Sequence, residues 1–174
     1  MPPSKNESII EVKNLAARFD DNIVFENVNF QVRKGEILVV VGESGCGKST
    51  LLKIMIGLHK PYAGSVFFQG MDIVRADEDQ LQAYRQNIGV LFQSSALFSS
   101  MRLRENIALP LQEYTDLDAA MIDSIIRMKL AMVNLAGYEN HYPSELSGGM
   151  KKRAGIARAI ALDPLVLFFD ELSA

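Results

Sequence analysis

The sequence predicts an α/β fold organised around a phosphate-binding loop, and three observations carry that expectation. The stretch Gly42-Glu43-Ser44-Gly45-Cys46-Gly47-Lys48-Ser49-Thr50 completes the pattern G-x-x-x-x-G-K-[ST]. The apolar run Glu36 to Val41 before it reads as a buried strand, and Leu51 to Ile56 after it as a helix opening. A second apolar run, Leu165 to Phe169, reads as a buried strand ending in two carboxylates, Asp170 and Glu171. The four fixed positions of the loop should match by chance in about one chain in a hundred of this length. The flanking strand and helix therefore decide that the match is real.

The elements follow in order. Residues 1–8 are polar and read as a frayed tail, with one domain over 9–174. Ile9 to Leu15 and Ile23 to Val32 read as strands, the second alternating at Val28, Phe30 and Val32. Arg33-Lys34-Gly35 turns the chain into the strand of the phosphate loop. Gly64 to Gly70 is a short strand bracketed by glycines. Asp77 to Gln86 reads as a polar surface helix and Ile88 to Phe92 as a strand. From there to about Pro143 the character is helical. Ile122, Ile125, Ile126 and Val133 recur at helical spacing, with Asp116 or Asp118 as the cap. A last helix opens near Ser147 and runs to Leu162, stopped by Asp163-Pro164.

Composition narrows the class. The chain has 174 residues, 48% hydrophobic and 22% charged, which suits one soluble globular domain. A net charge of −3 speaks against a protein held to nucleic acid by phosphate neutralisation. The single cysteine, Cys46, leaves no internal disulfide and fits a reducing compartment. No stretch reaches the roughly 18 apolar residues of a membrane span, and the start lacks the apolar core of a signal peptide. A cytoplasmic protein is expected, with any membrane connection made through a partner. His59 and His141 read as surface or loop residues, and the eight methionines as packing residues.

The chemistry follows from residue types. Glycines 42, 45 and 47 let backbone N–H groups converge on phosphate oxygens, and the helix N-terminus adds partial positive charge. Lys48 can reach the β- and γ-phosphates, and the Ser49 hydroxyl can ligate Mg²⁺. Asp170 is suited to hold the metal and Glu171 to deprotonate an attacking water. Ser147, Gly148 and Gly149 open the helix that carries Lys151, Lys152, Arg153 and Arg158. That segment alone fits either a second anion site or a capped helix with a solvated basic face.

These motifs together resemble the nucleotide-binding domain of ATP-binding cassette (ABC) transporters over Ile9 to Ala174. Gly42 to Thr50 resembles the Walker A loop, Gln93 the Q-loop glutamine, Leu146 to Met150 the signature sequence, and Asp170-Glu171 the Walker B aspartate and catalytic glutamate. Phe19 stands where the family places an aromatic that stacks on adenine. The resemblance implies a P-loop NTPase fold of ABC-ATPase type. Its parts are an N-terminal antiparallel β subdomain, a RecA-like core and an α-helical subdomain over about 94–150. It implies ATP and Mg²⁺ as ligands, with Ser49, Gln93 and Asp170 at the metal. Gln93 and Glu171 act at the water, and Gln93 reports nucleotide state to a membrane permease. A second copy pairs head to tail, so that its Ser147, Gly148 and Gly149 meet the γ-phosphate held by Lys48.

Met150 followed by Lys151-Lys152-Arg153, with Leu91 to Phe98 and Glu105 to Leu111, narrows the resemblance to the ATPases of Mce/Mla-type lipid transporters. Ala96-Leu97-Phe98 then reads either as a dock for the permease or as helical-subdomain core. Such an ATPase sits peripherally on the inner face of the cytoplasmic membrane. Leu172 replaces the family's usual proline, and the chain stops before the family's D-loop, a further core strand and the switch histidine. The core sheet is expected to be incomplete, and the isolated product to be aggregation-prone or poorly ordered and to hydrolyse ATP weakly or not at all. Other readings stay open: a nucleotide-binding fragment without ATPase activity, the ATPase of an importer for another solute, or a soluble ABC protein of DNA repair or translation.

Overall fold

The computed structural model describes residues 7–20 and 22–170. The chain divides into two compact units, up to Arg85 and from Gln86 onward.

In the first unit, β1 (Ser8–Phe19) and β2 (Asn22–Arg33) form a long antiparallel hairpin. β3 (Ala63–Phe68) pairs on the other edge of β1, and β4 (Met71–Asp72) closes a small hairpin on β3, in the order β2-β1-β3-β4. β4 was not legible as a strand; it is two residues long, and Gly70 at positive φ makes its turn. Two helices, α1 (Lys48–Met55) and α2 (Glu78–Gln86), complete the unit. Its core gathers Ile10, Val12 and Leu15 of β1, Ile54 of α1 and Val66 of β3, all buried. Tyr84 of α2 is buried there too, and its hydroxyl donates to the Met55 carbonyl at 2.6 Å. Burial pushes that hydroxyl's pKa well above its ordinary value.

The second unit holds β5 (Ile88–Leu91) and β6 (Val166–Phe169), a parallel pair, with α3 (Leu103–Tyr114), α4 (Ala119–Met132) and α5 (Gly148–Ala159). Of the two candidate caps for α4, Asp118 is the one used, accepting from the Met121 N–H at 2.8 Å. Ser147 caps α5 as expected, accepting from Met150 N–H at 3.3 Å. α5 ends at Ala159, three residues before Leu162. The core of this unit gathers Leu103, Ile107 and Leu111 of α3 with Ile126 and Leu130 of α4 and Ala154 and Ala157 of α5. Lys129 is buried and pairs with Asp163. The helical stretch expected up to Pro143 is thus two helices, α3 tolerating Pro110 inside it.

Three expectations need correction. Glu36 to Val41 is not a buried strand: it is extended chain, with Ile37 89%, Val39 71% and Val41 84% exposed. No strand among the described residues pairs with it. An apolar run becomes a strand only when a neighbour satisfies its N–H and C=O groups, so composition alone misled here. β6 is likewise only partly buried; Phe168 is inside, whereas Leu167 and Phe169 are exposed. Nor are the methionines all packing residues, since Met121, Met128 and Met132 of α4 are half or more exposed.

The exposed run has a physical consequence. Five consecutive apolar residues of high β-propensity without charge are a template for pairing with another chain. The 174-residue chain is therefore expected to self-associate at micromolar concentration, and Val39→Lys to reduce this, as read by light scattering. A monodisperse wild-type chain, indistinguishable from Val39→Lys, would contradict the assignment.

Candidate functional site

The first unit builds the phosphate loop. Gly45 (φ 84°) and Gly47 (φ 97°) take the left-handed backbone that lets the chain curl into α1. A β-carbon at Gly47 would lie 2.5 Å from Val24 Cγ1, so the loop packs directly against the start of β2. The Leu51 N–H donates to the Gly47 carbonyl at 2.8 Å, which closes the first turn of α1. Buried Leu51, Leu52, Ile54 and Met55 anchor that helix to the core. Its first turn carries no acidic residue, leaving its positive end uncompensated.

Lys48 lies at the centre of the loop. Its ammonium donates to the Gly42 and Glu43 carbonyls, each at 2.8 Å, and sits 3.8 Å from Cys46 Sγ. A full positive charge is thus framed by Gly42 to Gly47 beside the N–H groups of α1, an arrangement suited to a phosphate chain. Phe19, at the end of β1, is 53% exposed and is not a core residue. It meets the exposed His59 ring edge to face, centroids 6.5 Å apart. Through β2 the hairpin that ends in Phe19 is the same one the phosphate loop packs on. The first unit therefore presents an open aromatic ring and a phosphate cradle on one framework.

Cys46 is exposed within the cradle. Alkylation of its thiol is expected to abolish nucleotide binding, because any adduct occupies the space framed by Lys48 and Gly42. Unchanged ATP affinity after complete modification, measured by calorimetry, would contradict this geometry.

The second unit assembles the carboxylate end. β5 and β6 run parallel in the register Leu91↔Phe169, and the Asp170 N–H donates to the Leu91 carbonyl at 2.9 Å. Asp170 and Gln93 therefore emerge from the same carboxyl edge of this pair, where parallel sheets place ligand-binding groups. Glu171 lies outside the described residues. α5 runs antiparallel to β5: Gly89 lies against the Ala159 carbonyl, while Gly155 lies against Leu91 and Ser95. Gly148 is seven residues before Gly155, so the helix start projects about 10 Å beyond the level of Leu91. Ser147, Gly148 and Gly149 thus lie beyond the same edge as Asp170 and Gln93, and both glycines have open space where a β-carbon would be.

The basic face of α5 is not a simply solvated one. Arg153 donates to the Val133 and Asn134 carbonyls at 3.2 and 3.1 Å. Arg158 donates to the Ala96 and Ser95 carbonyls at 2.8 and 3.3 Å, and its guanidinium lies 5.8 Å from the Phe98 ring centre. Burial lowers the Arg158 pKa from its ordinary value. Of the apolar trio after Gln93, Leu97 packs against the helical core, whereas Phe98 and Ala96 are exposed. His141 is part-buried, with Nδ1 lacking a hydrogen-bond partner, so it is more enclosed than a surface residue. Among the described residues no three His, Cys, Asp or Glu side chains gather as a metal site. The hydroxyl of Ser49, the amide of Gln93 and the carboxylate of Asp170 are hard oxygen donors. Oxygen donors of this kind are the type that Mg²⁺ takes. No helix among the described residues is long and apolar enough to cross a membrane.

Comparison with known proteins agrees with these features. The family described as ABC transporter matches residues 25–174. The chain is 46% identical over 166 residues to the intermembrane phospholipid transport system ATP-binding protein MlaF of Haemophilus influenzae, covering 95% of this chain and 63% of that protein. It is 45% identical to the probable ribonucleotide transport ATP-binding protein mkl of Mycobacterium leprae, over 93% of this chain and 47% of that one. Against the methionine import ATP-binding protein MetN of Brucella abortus it is 41% identical, over 98% and 46% respectively. The chain thus spans between about half and just under two thirds of the length of these relatives. Among solved structures, the post-hydrolysis dimer of the ATP-binding cassette MJ0796 bound to ADP and Pi has a TM-score of 0.85 and 32% identity. That match covers 93% of this chain and 73% of the other. With the family pattern spanning 25–174 and the fold of a solved ATP-binding cassette, the chain belongs to the ABC transporter family.

Proposed function

We propose that this chain is the ATP-binding and ATP-hydrolysing subunit of an ABC transporter that moves phospholipid or another hydrophobic solute through a separate membrane permease. The observation that carries the ATP part is the Lys48 ammonium framed by Gly42 to Gly47 at the uncompensated start of α1. The loop N–H groups and Lys48 bind the β- and γ-phosphates, and Phe19 stacks on the adenine. Ser49, Gln93 and Asp170 hold Mg²⁺, which when bound neutralises phosphate charge. Glu171 takes a proton from water as its oxygen attacks the γ-phosphorus. The bond from that phosphorus to the bridging oxygen breaks and ADP leaves. Ser147, Gly148 and Gly149 of a second copy donate to the γ-phosphate, so each active site needs both chains. A cytoplasmic chain, peripheral on the inner face of the membrane, fits this role.

The lipid cargo rests on the similarity to MlaF and on the stretch Met150 to Arg153. The similarity to MetN and mkl keeps amino acids and ribonucleotides as the competing cargo classes. The test is transport by the subunit assembled with its own permease in vesicles. ATP-driven transfer of labelled phospholipid, absent with Lys48→Ala, is the expected result. ATP-driven uptake of methionine or a ribonucleotide without phospholipid transfer would contradict the lipid reading.

A further inference from the structure

Directly after Gln93 the backbone takes an unusual course. Ser95 (φ 62°) and Ala96 (φ 47°) are consecutive non-glycine residues in the left-handed region. Two such residues in a row persist only where their surroundings hold them. α5 supplies the hold. Arg158 donates one guanidinium N–H to the Ala96 carbonyl at 2.8 Å and another to the Ser95 carbonyl at 3.3 Å, and stacks on Phe98 beyond them. One turn earlier, Gly155 makes room: a β-carbon there would lie 3.1 Å from Ser95 Cβ and 2.7 Å from Leu91 Cδ1. Residues three apart share a helix face, so clearance and clamp act on the same stretch. The far end of the loop is pinned separately, by the Asn106 side chain on Phe98. A planar, two-pronged donor suits a pair of adjacent carbonyls in a way a lysine cannot reproduce.

We infer that Arg158 is a positioning residue for Gln93: by clamping the left-handed Ser95-Ala96 turn to α5, it sets where the loop directs the glutamine. α5 begins at the Ser147 cap, so one rigid helix ties the Ser147 to Gly149 turn to the Gln93 loop. The inference rests on the reading that Gln93 contacts Mg²⁺.

Two measurements on the full chain test it, neither requiring turnover. ATP affinity is compared in Mg²⁺ and in EDTA. Gln93→Ala should remove about tenfold of the gain Mg²⁺ confers, roughly one charge-assisted hydrogen bond. Arg158→Lys should remove a similar part and leave affinity in EDTA unchanged, and the double variant should lose no more than Gln93→Ala. Additive losses, or an equal loss in EDTA, would overturn the inference in favour of a general stability role. The second measurement is hydrogen exchange at the Ser95 N–H, which donates to Phe92 at 2.8 Å. Arg158→Lys should speed it about tenfold or more while α5 amides keep their protection; unchanged exchange overturns the clamp. Gln93→Ala without effect on the Mg²⁺ gain would instead overturn the metal reading of Gln93, whatever the exchange shows. If Arg158→Lys melts several degrees lower, adding Ala96→Gly, which takes positive φ without strain, should restore the Mg²⁺ gain. No restoration would overturn the inference.

Discussion

Gly47→Ala is expected to weaken ATP binding by about a hundredfold, through two costs that can be separated. The first is conformational. Gly47 sits at φ 97°, and an L-residue held there costs roughly 1–2 kcal/mol. The second is steric, because the new methyl would lie 2.5 Å from Val24 Cγ1 and 3.1 Å from Phe25 Cδ1. Overpacking of that kind costs typically about 1–3 kcal/mol. Together they amount to roughly 2–5 kcal/mol against the loop conformation that binds phosphate, and about 1.4 kcal/mol is tenfold in affinity. Val24→Ala in the same chain relieves the closer steric contact and leaves the conformational cost, so the double variant should recover about tenfold but not wild-type affinity. The check is calorimetric titration with Mg·ATP. Affinity within threefold of wild type in Gly47→Ala would mean that the loop does not bind in this conformation.

Asn106→Ala is expected to be the most damaging single substitution for stability. Asn106 is fully buried at the start of α3. Its Oδ1 accepts the Phe98 N–H at 2.8 Å, and its Nδ2 donates to the carbonyls of Phe98, Met101 and Arg102 at 3.2, 3.0 and 3.1 Å. Truncation strands a buried N–H and loses partners for several carbonyls, at about 1–3 kcal/mol for each group left unsatisfied. A total of roughly 2–4 kcal/mol lowers the melting temperature by about 6–12 °C for a chain of this size. Asn106→Asp should be no better, because it keeps the acceptor but places a carboxylate against three carbonyl oxygens. Thermal melts followed by circular dichroism decide the point. A fall of less than about 2 °C in either variant would contradict the role assigned to this side chain.

The parts of this protein that were legible in the sequence are those set by local chemistry. The glycine spacing of the phosphate loop, the caps at Asp118 and Ser147 and the apolar rhythm of β2 and α4 each act over a few residues. The family motifs added the ordering that local rules lack. What escaped was set by distant partners. Ile37 to Val41 has the composition of a core strand, but no strand among the described residues pairs with it. Arg158 read as one charge among several on a helix because its partners are backbone carbonyls 62 and 63 residues earlier. Backbone acceptors have no residue type, so no pattern announces them. Asn106 was hidden for the same reason, although a polar residue on the helix face shared by buried Leu103 and Ile107 was a signal of an obligatory partner. The close approach of Gly47 to Val24 could not be read from spacing either.

The most direct test of the central claim, that Gly42 to Thr50 is an ATP site, is equilibrium titration of the chain with Mg·ATP beside Lys48→Ala. Lys48→Ala removes the one full charge the loop frames and should leave the fold of both units intact. Saturable binding of one ATP per chain, weakened about a hundredfold or more in the variant, is the predicted result. Absence of saturable binding to a folded wild-type chain, or equal affinity in Lys48→Ala, would contradict it.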